Sequence, residues 1–200
     1  RSHPFTVIAG AILLVLVLAA VFAPYLGTVD PRKINLLPRM RAPSAQAWFG
    51  SDQLGRDVWT RTLYGARISL IVGLMVAAMS ISLGLLIGMI SGYLRRLDAL
   101  IMRIMDGLMS IPGILLAIGL VSVVGACLAT VTIAITIPEI PRVVRLVRAI
   151  VLSVREEPYV EAAIAVGTKT PLILWRHVLP NCVPPLIVQA TYVAASAMLT

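Results

Sequence analysis

Long apolar blocks dominate this sequence, and they leave it few ways to fold. A helix of about 20 apolar residues crosses the roughly 30 Å hydrocarbon core of a membrane. Five such blocks can be drawn in the 200 residues, at 5–26, 68–94, 104–124, 126–144 and from 182 onward. The chain is 59% hydrophobic and 13% charged, whereas a soluble domain has about 25% charged residues. The sequence therefore predicts an all-α, polytopic membrane helix bundle with five spans.

Charge and cysteine content exclude several other classes of protein. The net charge of +8 comes from Lys and Arg in loops beside apolar blocks, without the aromatic and basic alternation that stacks bases, so no nucleic acid is expected as a partner. The two cysteines form neither a disulfide framework nor a metal-ligand spacing, so no metal or cofactor is predicted. The first block is too long for a signal-peptide core and is interpreted as a retained span. The fifth is still apolar where the sequence stops, which suggests truncation.

Small residues recur at every fourth position in the second block. They are Ser80, Gly84, Gly88 and Gly92. Residues four apart share a helix face, and small side chains there let two helix backbones approach closely in lipid. The spacing predicts a tight helix–helix contact, although glycine is also simply common in membrane helices.

The third and fourth blocks contain residues that disturb a straight apolar helix. Pro112 interrupts the third block and Pro138 and Pro141 interrupt the fourth, and each is expected to kink its helix. Bent spans commonly line a cavity in which the freed carbonyls find partners, so these prolines are pathway candidates. Glu139 either faces this pathway or forms an interfacial ion pair with Arg142, three residues further on.

The longest polar connection, residues 28–67, has two parts. The first, 28–48, is rich in proline and is expected to be extended. The second is expected to be helical from Asp57, which precedes Arg61 by four residues, the order that favours an ion pair. Trp59 suits the headgroup level, so this helix is predicted to lie along the membrane surface before turning into the second span. A solvated loop helix is the alternative.

One stretch of this connection, FGSDQLGRDVWTRTLYGARISLIVGL, resembles the segment before the second span in permease subunits of dipeptide and oligopeptide ABC importers. The family pattern is FGTD-x-LGRD-x-x-SR-x-x-x-GAR-x-SL, and this sequence differs by Ser51 for Thr and Thr60 for Ser. The motif residues carried over are Gly50, Asp52, Gly55, Arg56, Asp57 and Arg67. The resemblance implies that they lie on the outer face of the membrane.

A second polar stretch, residues 157–181, lies between the fourth and fifth blocks and is called the hook below. Proline in its first helical turn and Gly167 after its last are the usual punctuation of a short helix, and Glu161 is favoured by the helix dipole. A second short helix, PLILWRHV, is expected to end before Pro180. Because a helix of about nine residues is marginal alone in water, the hook is expected to dock on a partner. A re-entrant or surface-lying loop is the alternative.

The hook resembles the EAA-x3-G-x9-I-x-L-P signature of ABC-importer permeases. The matching residues are Glu161, Ala162, Ala163, Gly167, Leu179 and Pro180, and His177 stands in place of the usual isoleucine, as in the RH-x-LPN form frequent among peptide importers. The resemblance implies that loop 148–181 is cytoplasmic and couples to an ATPase subunit. It also fixes the orientation, which ten Lys and Arg inside against seven outside only weakly favour.

The two resemblances imply a type I ABC-importer permease fold, multi-pass in a bacterial inner membrane, without the family's sixth span. Residues 1–67 would hold the first span, the outer loop and the interfacial helix, and 68–200 the transmembrane domain. The implied function is import of di- or oligopeptides, with nickel or glutathione as alternatives. The implied partners are a sister permease in a heterodimer, two ATPase subunits that bind ATP and Mg, an extracytoplasmic substrate-binding protein and the lipid bilayer.

Other functions fit the residues poorly, and the chain is expected not to be an enzyme. GTKT at 167–170 lacks the Gly-x4-Gly-Lys-Ser/Thr spacing of a phosphate-binding loop, so ATP binding is not expected. An intramembrane hydrolase needs a nucleophile and a base within its spans, but His3 and His177 both lie outside them. A passive channel would have no use for a docking hook.

Overall fold

The computed structural model describes residues 4–26, 30, 39–45 and 47–199, and these are mostly helical. The helices are α1 (Pro4–Val21), α2 (Val58–Tyr93), α3 (Arg95–Ser110), α4 (Gly113–Val124), α5 (Leu128–Arg155), α6 (Pro158–Ala165), α7 (Thr170–Ile173) and α8 (Leu179–Leu199). A 3-10 turn, Ala23–Tyr25, follows α1, and a π turn, Leu174–Val178, joins α7 to α8. In the described residues, β-type pairing is confined to two isolated bridges. The all-α prediction is confirmed.

By length and composition, two helices in the described part of the chain can cross a membrane. They are Val58–Tyr93 and the continuous stretch Thr170–Leu199. Helices α3 and α4 make a third span if they count as one, bent by 81° at their junction. The apolar part of α1, Val7–Val21, is shorter than a typical span. Five spans are therefore not confirmed by this measure, and that number stays a prediction.

The chain divides into two compact units, Arg1–Ile71 and Val72–Thr200. The first contains α1, which is strongly apolar and exposes most of its large side chains, as expected of a helix that faces lipid. It also contains the outer motif and the start of α2. Residues 31–38, within the segment predicted to be extended, lie outside the described residues.

In the second unit, α5 is the helix that contacts the small-residue face of α2. Gly84 faces Val143, Gly88 faces Val147 and Gly92 faces Val151. A Cβ atom built on Gly84 would lie 2.5 Å from Cβ of Val143, whereas ordinary contacts begin at 3.4 Å. Glycine therefore allows α2 to approach α5 this closely. Ser80, one turn earlier on α2, is fully buried.

Apolar packing joins α5 to the hook and to α8. The larger cluster contains Val143, Val147, Val151, Val154, Val160, Ile173, Val178, Cys182 and Leu186. A smaller cluster of Val72, Val76, Ala77, Val193 and Ala197 joins α2 to α8. Helices α2, α5 and α8 thus form a bundle held by close side-chain contact. Three hook residues, Val160, Ile173 and Val178, belong to the apolar core of this bundle.

Two predictions about helix boundaries are wrong. Helix α2 is a single helix of 36 residues, so the interfacial helix expected before the second span is simply its beginning. No proline interrupts it, and Gly65 near its start is tolerated within the helix. The second short helix of the hook is not separate either, because the π turn continues it into α8. Leu179 donates its N–H to the Leu174 carbonyl, and Pro180 falls in the first turn of α8, where a missing N–H is tolerated.

The prolines of the third and fourth blocks behave differently from each other. Pro112 lies at the bend between α3 and α4, and Ile111 before it is extended, with φ −88° and ψ 121°, as expected of a residue that precedes proline. Pro138 and Pro141 lie inside α5 without ending it. Contacts with α4 and α8 support α5 along its length, so the loss of two backbone hydrogen bonds does not break the helix.

Candidate functional site

The hook begins with α6, whose ends follow from its sequence. Glu157 precedes the helix in an extended conformation, and Pro158 lies in its first turn. Gly167 follows the helix with φ +85°, and its N–H donates to the Ile164 carbonyl at 2.9 Å. This left-handed conformation favours glycine, which explains the glycine at this position.

One side of α6 is anchored in the core and the other is exposed. Val160 is fully buried in the larger apolar cluster, and Ala163 is half-buried. The exposed residues are Tyr159, Glu161, Ala162, Ile164, Ala165 and Val166. Val166 is 87% exposed. A helix with several exposed apolar side chains is suited to contact with a protein partner.

The part of the hook that leads into α8 contains His177, Leu179 and Pro180. The His177 ring centroid lies 5.8 Å from that of Tyr159. The Asn181 amide donates to the Tyr159 hydroxyl at 3.2 Å and to the His177 carbonyl at 2.7 Å. Leu179 is half-buried and Pro180 is exposed. These contacts tie α6 to the start of α8, and sequence reasoning missed the roles of Tyr159 and Asn181.

Tyr93, at the end of α2, lies at the base of the hook. The Arg155 guanidinium lies over its ring, with Cζ 5.7 Å from the ring centroid. Arg155 also donates to the Tyr93 carbonyl, and the Thr170 hydroxyl donates to the Tyr93 hydroxyl, both at 3.4 Å. A cleft of about 260 Å³ opens nearby, beside Glu161. The end of α2, the end of α5 and the start of α7 therefore meet at one tyrosine.

Two ion pairs connect α3 to α5, and sequence reasoning missed both. Arg148 donates through Nε and Nη2 to the two carboxylate oxygens of Asp98 at 2.5 and 2.6 Å, and the Ser91 hydroxyl donates to the same carboxylate at 2.6 Å. Arg145 donates to Asp106 at 2.5 Å. The available signal was the three-residue spacing of the two arginines, which places them on one helix face.

In the first unit, the outer motif folds into a compact turn at the start of α2, called the outer knot (residues 39–45 and 47–61). Asp52 is at its centre. Its Oδ1 accepts the backbone N–H of Leu54 and of Arg56, each at 2.9 Å, and its Oδ2 accepts from the Arg56 and Arg61 guanidinium groups at 3.0 and 2.5 Å. These bonds, the Arg56 N–H foremost, hold the pKa of Asp52 well below its usual value of 3.8, although desolvation opposes them.

Two glycines give the outer knot its shape. Gly50 has φ +73°, and a side chain there would collide with the Arg41 carbonyl. Gly55 has φ +70°, and its N–H donates to the Asp52 carbonyl at 2.9 Å. Both positions require the left-handed conformation that glycine adopts at little cost. Arg67 lies beyond the knot, exposed on α2.

Asp57 caps α2 and does not form the predicted ion pair with Arg61. Its Oδ2 accepts the Thr60 N–H at 2.9 Å and the Thr60 hydroxyl at 2.6 Å, whereas Arg61 binds Asp52. A cap that satisfies an otherwise unpaired N–H contributes about 1 kcal/mol, whereas an exposed pair four residues apart contributes about 0.2–0.5 kcal/mol. The prediction was wrong because the stronger local interaction takes the carboxylate.

Aromatic side chains that the sequence analysis did not connect pack together in the outer knot. The Trp59 ring centroid lies 5.4 Å from that of Trp48 and 5.1 Å from that of Phe49. Trp48 and Phe49 are exposed, and Trp59 is half-buried. Such pairs contribute more than their buried area alone, so they help to fix the knot against the start of α2.

The pathway candidates lie where α4 faces α5. A Cβ atom on Gly113, the neighbour of Pro112, would be 3.2 Å from Cγ of Pro138. Glu139 is 8% exposed, and its Oε1 accepts from Arg142 at 2.8 Å. Its Oε2 is buried, with no hydrogen-bond partner among the described residues. The ion pair is thus present, and a pathway role for Glu139 stays a prediction. No group of His, Cys, Asp and Glu fit to hold a metal ion occurs in the described ranges.

Apolar helices packed through small residues, with a hook that has one buried and one exposed side, define a polytopic membrane protein. The chain belongs to the family of binding-protein-dependent transport system inner membrane components, whose model matches residues 80–200. A second model, the N-terminal TM domain of oligopeptide transport permease C, matches residues 1–43.

Similar proteins carry related descriptions. The chain is 54% identical over 200 residues to a probable peptide ABC transporter permease protein of Sinorhizobium fredii, covering 100% of this chain and 68% of the relative. It is 47% identical over 188 residues to a putative peptide transport system permease protein of Brucella suis, covering 94% and 64%. It is 43% identical over 201 residues to a probable D,D-dipeptide transport system permease protein of Escherichia coli, covering 100% and 67%. The chain thus spans about two thirds of these relatives, and the predicted family is confirmed.

Proposed function

We propose that this chain is a membrane-spanning permease subunit of an ATP-driven importer in the inner membrane of a bacterium. It forms part of the path for di- or oligopeptides. The proposal is supported by membership in the transport family and by relatives described as peptide and D,D-dipeptide permeases. On this proposal the chain catalyses no chemistry, and ATP with Mg binds to partner subunits. Five spans surround the path, and the hook lies in the cytoplasm.

The observation that carries the proposal is that α6 has one buried side and one exposed side. Val160 on its inner side is buried against the core, while Ile164 and Val166 on its outer side are exposed. Because the inner side is closely packed, a displacement of the outer side moves α5 and α8 as well. Tyr93 links the same region to α2. A partner that binds the exposed side therefore acts on three helices together.

Each expected partner has a distinct surface on this chain. Two ATPase subunits act on the importer, and one of them binds the exposed side of α6. The sister permease completes the heterodimer, and the apolar helix α4, which has no buried residue, is suited to it or to lipid. The substrate-binding protein approaches from the outer face, which carries the outer knot.

The test compares hook variants in vesicles that contain the complete importer. Glu161→Lys and Gly167→Val should leave ATP hydrolysis running while peptide uptake is lost, because the first reverses an exposed charge and the second strains a residue with φ +85°. Gly10→Val is the matched control, since this exposed glycine of α1 has no atom within 4 Å of an added Cβ. Wild-type uptake by both hook variants would contradict the proposal.

A further inference from the structure

We propose that Asp98 and Arg148 are positioning residues that clamp α3 to α5 just before the hook, so that a displacement of the hook reaches the bent α3–α4 pair. This inference rests on the proposed coupling function of the hook and adds a route to it. Apolar packing and the contacts of Tyr93 and Asn181 connect the hook to α2 and α8. The clamp adds a polar attachment to α3, whose bend leads to α4, and α4 also contacts α5 directly.

The geometry around Asp98 joins three helices at one carboxylate. Arg148 from α5 binds both oxygens in a forked arrangement, the strongest geometry that a guanidinium and a carboxylate adopt. Ser91 from α2 donates to Oδ1 and is 1% exposed. The side chains of Asp98 and Arg148 are 21% and 31% exposed, so solvent screens this pair only partly.

Helix α3 depends on this clamp because it has little apolar anchorage of its own. Met105 is the one buried residue of Arg95–Ser110. The second ion pair, Arg145 with Asp106, has side chains 44% and 61% exposed. Pairs as exposed as that contribute little. Asp98 and Arg148 are therefore the main polar attachment between α3 and α5.

The clamp lies between the hook and the bend. Arg148 precedes Arg155 by seven residues, which is about two helical turns, so both point to the same side of α5. Arg155 contacts Tyr93 at the base of the hook, and Leu94 directly precedes α3. The end of α5 is thus attached both to Tyr93, the last residue of α2, and to Asp98 in the first turn of α3. A tilt of α5 therefore carries α3 with it through the clamp, and α4, beyond the 81° bend, follows both through α3 and through its own contact with α5.

The test is a charge swap in the complete importer, with peptide uptake and ATP hydrolysis measured on the same vesicles. Asp98→Arg and Arg148→Asp should each lower the ratio of uptake to hydrolysis several-fold, and the double variant Asp98→Arg with Arg148→Asp should restore most of it. Arg96→Asp is the matched control. This exposed arginine lies in the same turn of α3, and its loss should leave the ratio unchanged. A wild-type ratio in both single variants, or an equal loss in Arg96→Asp, would overturn the clamp.

Two further measurements separate coupling from simple damage to the fold. Asp98→Asn and Arg148→Lys keep the size of each side chain, and unfolding temperatures are recorded for every variant. If the ratio stays constant while uptake, hydrolysis and unfolding temperature fall together, the residues are structural only and the clamp is wrong. Failure of the proposed function shows in the wild-type chain, which would then capture no ATPase or show no ATP-dependent uptake. That result overturns both proposals, whereas a normal wild type with unaffected single variants overturns the clamp alone.

Discussion

Replacing Gly84 by alanine adds one methyl group where α2 and α5 approach most closely. The new carbon would lie 2.5 Å from Cβ and Cγ1 of Val143. Ordinary contacts begin at 3.4 Å, so the two helices must separate by about 0.9 Å or the valine must shift. Overpacking of this kind costs roughly 1–3 kcal/mol, and alanine recovers about 1 kcal/mol through its better helix propensity. We therefore expect a net loss of up to about 2 kcal/mol in the free energy of unfolding.

The assay uses the two cysteines, which differ in exposure. Cys182 is buried in the core and Cys127 is exposed, so a Cys127→Ser background leaves one thiol that becomes accessible on unfolding. A thiol-reactive dye then reports the unfolding midpoint of the purified protein in detergent. Gly65→Ala is the matched control on the same helix, because nothing lies within 4 Å of its added carbon. Its midpoint should equal or exceed that of the parent.

A Gly84→Ala midpoint at or above that of the Gly65→Ala control would refute the close contact, because the two variants share the gain in helix propensity and differ only in the conflict with Val143. A second comparison tests which atoms of Val143 conflict with the new methyl group. Val143→Gly removes both atoms that lie 2.5 Å from the new carbon, whereas Val143→Ala removes Cγ1 and keeps Cβ. Adding Gly84→Ala should therefore cost less in the Val143→Gly background than in the Val143→Ala background, a difference that a double-mutant cycle measures directly.

Three predictions concern the outer knot. Because the pKa of Asp52 is lowered on folding, the ionised Asp52 stabilises the folded knot fully above about pH 4, and this contribution is lost as the pH falls through the lowered folded-state pKa. The tryptophan fluorescence of a Trp175→Phe variant should therefore stay constant from pH 7 to about 4. A change in fluorescence above pH 5 would contradict this. Asp57→Ala should destabilise the start of α2 by about 1 kcal/mol and Asp57→Ser by less, measured by hydrogen exchange of the first-turn amides; equal exchange in the two variants would count against the cap. Gly50→Ala should expose the knot to protease, because residue 50 has φ +73° and its side chain would meet the Arg41 carbonyl; unchanged resistance would show that the knot tolerates a side chain.

The helical class and the small face of α2 could be predicted because both follow from spacing along the chain. The partner of that face could not. Val143, Val147 and Val151 read as ordinary apolar positions of a membrane helix, and only the packed structure shows that each faces a glycine. The clamp between Asp98 and Arg148 was missed for a related reason: its partners are fifty residues apart, and local spacing does not reveal such pairs.

In the hook, local sequence preferences predicted one helix boundary correctly and another wrongly. The ends of α6 followed the expected use of proline and glycine. Pro180 was expected to end the next short helix, because the residue before a proline avoids helical angles. The chain instead changes its hydrogen bonding in the π turn, so that the proline becomes part of the first turn of α8. The letters LWRHV carry no signal for such a turn, and only the structure shows that Ile173 before it and Val178 at its end are both buried in the larger cluster.

The π turn has a consequence for the phase of the last helix. A π turn accommodates one residue more than an α turn along the same path, and each helical residue adds about 100° of rotation. That surplus residue fixes which side of α8 faces α2, where Val193 and Ala197 are buried. Removing one residue from Leu174–Val178 would rotate α8 by more than a quarter of a revolution relative to α6 and α7. The rotation of α8 about its own axis is thus determined by the five residues that precede it.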